Sequence, residues 1–226
     1  MFIDSGYLLF VLPALIFAMW AQGRVRSAYS TYSRLAARCG LPAYEVAATL
    51  LRNAGLGDVR IEKSGGALSD HYDPRTRTLT LSQETYHGTS VAALAVAAHE
   101  VGHAVQQAVG YAAFSLRNGL VPIANIGSQA AFPLFLMGLL FQSGSLMDLG
   151  LLLFLGAVAF QVVTLPVEYN ASRRAMDMLE VSGFIAPNEM VAVGNMLNAA
   201  ALTYVAATAM AVAQFLRLLA LRERRR

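Results

Sequence analysis

The sequence predicts a mainly α-helical integral membrane protein with a small β-hairpin and three or four membrane-associated helices. Three observations carry this. Hydrophobic residues make up 56% of the 226 and charged residues only 14%, against about 25% charged in an average soluble domain. Several apolar runs approach or exceed the roughly 20 residues that a helix needs to cross a bilayer core. Strand signals are confined to residues 58–82. The net charge is only +3, much of it from the final "RERRR", which makes nucleic acid an unattractive partner. Cys39 is the only cysteine, so no disulfide can form within the chain. With no histidine beside it, Cys39 reads as a packing thiol.

The first apolar run, "YLLFVLPALIFAMWAQG" (7–23), holds no charge. Asp4 stands where a signal peptide would carry lysine, and Arg24 and Arg26 follow the run. Residues 1–23 therefore read as a retained anchor, its N-terminus outside and its C-terminal end in the cytoplasm.

Residues 24–118 read as the first part of a cytoplasmic domain. "SAYSTYSRLAARCGLPAYEVAATLLRNAGL" predicts two amphipathic helices broken at Gly40-Leu41-Pro42. Ala43, Tyr44, Val46, Ala47, Leu50 and Leu51 mark the apolar face of the second, and Gly55 its C-cap. "DVRIEK" (58–63) predicts a strand and Gly65-Gly66 a turn. "LSDHYDPRTRTLTLS" (68–82) predicts a hairpin turning at Asp73-Pro74-Arg75, with Asp70 and Asp73 able to cap it. Its "RTLTLS" arm is either an exposed edge that binds an extended peptide or an ordinary cover for the next helix. That helix runs from about 89 to 109, capped by Thr89 or Ser90.

Two apolar runs, "LVPIANIGSQAAFPLFLMGLLF" and "LMDLGLLLFLGAVAFQVVTLPV", joined by "QSGS", predict a transmembrane hairpin over 119–167. Residues 168–187 turn polar again, helical to Gly183, and form the second part of the cytoplasmic domain. Ten basic residues in 24–118, then Arg173 and Arg174, set against none in "QSGS", put the charged segments inside. Residues 188–226 form a last apolar helix and the basic tail. This helix either spans, placing "RERRR" outside against the positive-inside rule, or lies along the interface or against the domain.

"VAAHEVGHAVQQ" (96–107) carries the chemistry. On a helix, positions i and i+4 share a face, so His99 and His103 can direct two imidazoles at one metal ion. Glu100, offset by one residue, does not ligate but can reach a water at that metal. This pattern on a helix is the signature of zinc metallopeptidases. The bland alternative, two buried histidines bonded to backbone, leaves the adjacent carboxylate unexplained. Gly102 between the histidines suggests a close backbone approach, at a helix-propensity cost of about 1 kcal/mol. A catalytic zinc needs a third protein ligand. His71 and His87 are candidates. Glu168, at the end of the third apolar run, is the better one, because a carboxylate there has little rationale without a partner. The rival reading of Glu168 is a helix N-terminal residue favoured by the macrodipole.

The chain resembles the YugP-like neutral zinc metallopeptidase family of bacterial membranes. The blocks "SDHYDPRTRTLTLS", "SVAALAVAAHEVGHAVQ", "LPVEYNASRRA" and "LNAAALTYVAA" carry the resemblance over nearly the whole length. The pattern is also similar to HtpX-type membrane gluzincins. The resemblance implies a gluzincin-like core, one zinc ion at His99, His103 and Glu168, Glu100 as catalytic residue, and a multi-pass protein of the bacterial cell membrane. One position departs from the HtpX-type pattern. The aspartate expected four residues after the glutamate ligand is Ser172, although Ala171 matches. Ser172, Asn170 or Asp177 could instead accept the outer N–H of a zinc-bound imidazole.

The expected activity is hydrolysis of peptide bonds near the cytoplasmic face, with Glu100 as general base. His71, Tyr72, Tyr169 and Arg173 are candidate donors to the oxyanion. The expected partners are a protein or peptide substrate and the lipid bilayer, with an accessory protein left open. Two other readings compete. A site-2-type intramembrane protease also buries this motif, but uses a later Asn-Pro-Asp-Gly-like aspartate that is missing here. A non-catalytic scaffold would use structural zinc, which is usually four-coordinate with cysteine.

Overall fold

The computed structural model describes residues 5–66 and 69–223. Asp4, Leu68 and the last three arginines of the tail lie outside the described residues. A π-helical turn, Tyr7–Val11, leads into α1 (Leu12–Tyr32). There follow α2 (Ala43–Asn53), β1 (Arg60–Ser64), β2 (His71–Asp73), β3 (Thr78–Ser82), α3 (Gln83–His87) and α4 (Val91–Ala108). Three long helices complete the chain: α5 (Ala112–Leu140), α6 (Gly144–Ser182) and α7 (Met190–Glu223). The protein is a mainly α membrane protein with a three-stranded sheet.

Among the described residues four helices are long and apolar enough to cross a membrane: Tyr7–Tyr32, Ala112–Leu140, Gly144–Ser182 and Met190–Glu223. The chain divides into two compact units. One comprises Met1–Gln22, Ser115–Pro166 and Leu202–Arg226. Its helices show Leu9, Trp20, Ile126 and Leu152 to their surroundings, as a lipid-facing surface does. Small residues let its backbones approach. A Cβ on Gly127 would meet the Leu153 carbonyl oxygen, and one on Gly150 that of Ala131. Arg222 forms an ion pair with Asp148, Nη2 to Oδ2 at 2.8 Å, joining α7 to α6.

The other unit comprises Gly23–Phe114 and Val167–Ala201. Its core gathers the apolar face of α2, Leu79 and Leu81 of β3, most of α4, and Val167, Ala175 and Leu179 of α6. The α2 C-terminus follows the expectation for Gly55. Gly55 takes φ +74°, its N–H donates to Arg52 O, and the Leu56 N–H donates to Leu51 O. This is the glycine-ended helix cap that satisfies the last carbonyls. At the start of α4, the Ser90 hydroxyl accepts from the Ala93 N–H at 3.2 Å, so Ser90 rather than Thr89 is its N-cap.

Three local expectations change. The first predicted amphipathic helix does not stand apart. α1 runs on without a break to Tyr32, because its Ala-, Ser- and Tyr-containing end holds no breaker, and the chain unwinds from Ser33 to Pro42. Residues 168–182 likewise do not start a new helix, since α6 continues through Pro166. Finally, "RTLTLS" is not an edge. β3 is the centre of the order β1-β3-β2, parallel to β1 and antiparallel to β2. Local alternation announces a strand but not its neighbours, and β1 returns to pair with β3 from 18 residues upstream in register (Arg60 opposite Thr78).

Candidate metal centre

The centre is built inside this second unit from α4 and α6. The i, i+4 spacing puts both imidazoles on one face of α4, ring centroids 4.8 Å apart and nearly perpendicular. Glu168 comes to them from α6. It lies well inside that helix, so it is not a helix N-terminal residue, and only 3% of its side chain is exposed. Its Oε2 lies 3.2 Å from His99 Nε2 and 3.6 Å from His103 Nε2. One donor atom from each of the three lies within 4.8 Å of the others.

Gly102 explains how the helices come so close. A Cβ there would lie 2.7 Å from the Ala171 carbonyl oxygen, which no real side chain tolerates. Glycine therefore lets the α4 backbone touch the α6 backbone, one turn from Glu168.

The outer nitrogens of the imidazoles are occupied by other groups. The Ser172 hydroxyl sits 3.2 Å from His99 Nδ1. His103 Nδ1 faces the side-chain oxygen of Gln106 at 3.0 Å. Both Nε2 atoms are thereby turned toward Glu168. Two imidazoles and one buried carboxylate are the donor set of a catalytic zinc, and second partners on the outer nitrogens are what such ligands require. The residues fit the metal.

Glu100 is buried on α4 beside the cluster, and among the described residues no hydrogen bond ties its carboxylate. Burial pushes its carboxyl up to about 7. Glu168 and Asp70 push it the same way, while His99 and His71 oppose the shift.

The remaining candidates spread out. His71 on β2 is exposed, with Nδ1 2.8 Å from Ser69 O, yet within electrostatic reach of Glu100. Tyr72, on the opposite face of β2, donates its hydroxyl to Gln107 of α4. Tyr169 and Arg173 stand exposed on α6, without a side-chain hydrogen bond to the cluster among the described residues. Asn170 accepts from Gln106 Nε2 at 3.0 Å and from Arg174 Nε at 2.8 Å. Asp177 is exposed and lines a separate groove with Asn53 and Ser182. His87 packs edge-on against Tyr86 and Tyr44. Of the capping aspartates, Asp73 accepts from the Arg75 N–H in the turn, whereas Asp70 accepts from the Ser82 N–H at the end of β3. Sequence reasoning missed Gln106. The sequence marks it only as a polar residue three positions after His103, and its burial follows from the packing of α6 on α4.

A helical membrane protein with this donor set has the ligands of a catalytic zinc centre. The family described as "Putative neutral zinc metallopeptidase" matches residues 7–223, and the chain belongs to that family, whose metal is zinc. It is similar to the protein named "Putative membrane protease YugP" of Bacillus subtilis (strain 168), with 44% identity over 211 residues. That match covers 93% of this chain and 94% of the relative. No solved structure matches this chain.

Proposed function

We propose that the chain is a zinc endopeptidase of the bacterial cell membrane that cuts protein or peptide substrates at the cytoplasmic face. The observation that carries the proposal is the convergence of His99, His103 and Glu168 on one point beside a buried, unbonded Glu100. His99 and His103 would hold the ion through Nε2, and Glu168 through a carboxylate oxygen, in the gluzincin manner. Zinc supplies a Lewis acid that lowers the pKa of a water toward about 7 and polarises the scissile carbonyl.

Glu100 does the proton work. Its carboxylate takes a proton as the water oxygen bonds to the carbonyl carbon, then gives that proton to the amide nitrogen as the C–N bond breaks. Burial raises the affinity of this carboxylate for the proton it takes. Of the four donor candidates we assign the developing oxyanion to His71, on the β2 strand that packs on α4. With β3 central, β1 and β2 are the two edges, and we assign an extended substrate to β2 because it packs on α4. Glu168 follows the apolar stretch on the same continuous helix, which supports a site close to the membrane surface.

The test is Glu100→Gln in detergent-purified protein. It keeps one zinc per chain and loses cleavage of an unfolded test protein by at least about a hundredfold. Surviving cleavage would remove Glu100 from this role.

A further inference from the structure

We propose that Gln106, held by Asn170 and Arg174, is a positioning residue that fixes the proton of His103 on Nδ1 and so keeps Nε2 available to the metal. The proposal rests on the zinc site described above.

The guanidinium of Arg174 has a fixed polarity. The Arg174 Nε–H can only donate, and it lies 2.8 Å from an Asn170 side-chain atom that must therefore be oxygen. That same oxygen lies 3.0 Å from one end of the Gln106 amide. The Val167 carbonyl oxygen, another pure acceptor, lies 2.7 Å from that end. Two acceptors require a donor, so that end of Gln106 is the NH₂ group and the other end is oxygen. The oxygen faces His103 Nδ1 at 3.0 Å. An oxygen that only accepts needs a donor opposite it, so Nδ1 carries the hydrogen. A neutral imidazole protonated at Nδ1 has its lone pair on Nε2, the nitrogen turned toward Glu168.

Burial makes the relay firm. Gln106 is fully buried, so no water can substitute for either end. Turning the amide over would set oxygen against oxygen at both Val167 and Asn170. Each mismatch leaves a buried polar group unsatisfied. Because Gln106 belongs to α4 while Val167, Asn170 and Arg174 belong to α6, the relay also ties together the two helices that supply the ligands. His99 is held differently. Its partner is the Ser172 hydroxyl, which donates or accepts with equal ease and selects no tautomer. The two ligands are thus unequal, His103 preset and His99 adaptable.

The experiment measures zinc affinity of full-length protein in detergent by competition with a chromophoric chelator. Thermal unfolding of the zinc-free forms is followed alongside. Gln106→Leu should weaken zinc binding about 10- to 100-fold. Asn170→Asp, which keeps an acceptor for both Gln106 and Arg174, should stay within about threefold of the parent, while Asn170→Leu weakens binding about tenfold. The Asn170 pair decides the matter if Gln106→Leu does not fold. Parent-like affinity in a folded Gln106→Leu, or equal affinities for Asn170→Asp and Asn170→Leu, would overturn the relay. His103→Ala serves as control. Loss of zinc there together with parent-like Gln106→Leu refutes only the relay, whereas full zinc in His103→Ala refutes the site itself.

Discussion

Gly102 has no side chain to contribute, yet it sets the distance between the two halves of the centre. Gly102→Ala would drive a methyl against the Ala171 carbonyl. It should cost about 1–3 kcal/mol in the manner of an overpacked core. Because the helices must part there, it should also weaken zinc binding. Thermal unfolding and chelator competition read the two effects, and a variant unchanged in both would show that the close approach is not needed. Ser172→Ala should weaken zinc by about tenfold through loss of the partner of His99 Nδ1. At this scale the sequence was informative where spacing along one helix carries the geometry. The period puts His99 and His103 on one face, and Glu100 is read from the His-Glu-x-x-His signature. Ser172 is one of three candidates, with Asn170 and Asp177, and it comes from the resemblance to HtpX-type enzymes rather than from spacing. Gln106 escaped because a glutamine near the end of an alanine-rich helix looks solvent-facing until the covering α6 is known, and Asn170 and Arg174 meet it only through that packing.

Elements in this protein are held at their ends by buried polar groups. Glu189 is the clearest case. One carboxylate oxygen accepts from the Arg38 N–H at 3.0 Å and the other from the Ala186 N–H at 2.8 Å. Glu189 thereby pins the irregular stretch after α1 to the start of α7, and it is only 6% exposed. Glu189→Ala should destabilise the protein by about 2–3 kcal/mol, since it strands two backbone donors of a charged acceptor. Zinc stoichiometry at low temperature should be unchanged, and a melting temperature equal to the parent's would contradict the role. The identities of the helices were legible from apolar periodicity, their ends less so. Ser33 and the passage through Pro166 depend on what the chain packs against, not on a local stop signal. The place of β3 within the sheet depends on β1, which lies outside any window that reads alternation.

At the scale of the molecule, apolar composition declares the membrane, and the four long helices agree with it. The side of the membrane is our proposal, and it is open to labelling. With Cys39 replaced by serine, a single cysteine at Ser145 should react with an impermeant maleimide added to intact cells. One at Glu180 should react only after the membrane is opened. Both positions are exposed. The reverse pattern would place the centre outside. The most direct test of the account is the zinc content of Glu168→Ala, purified and dialysed beside the parent. The account predicts one zinc per parent chain and well below one in the variant, with cleavage lost. A full equivalent of zinc in folded Glu168→Ala would contradict it, because the ion would then be held by residues other than the three that meet between α4 and α6.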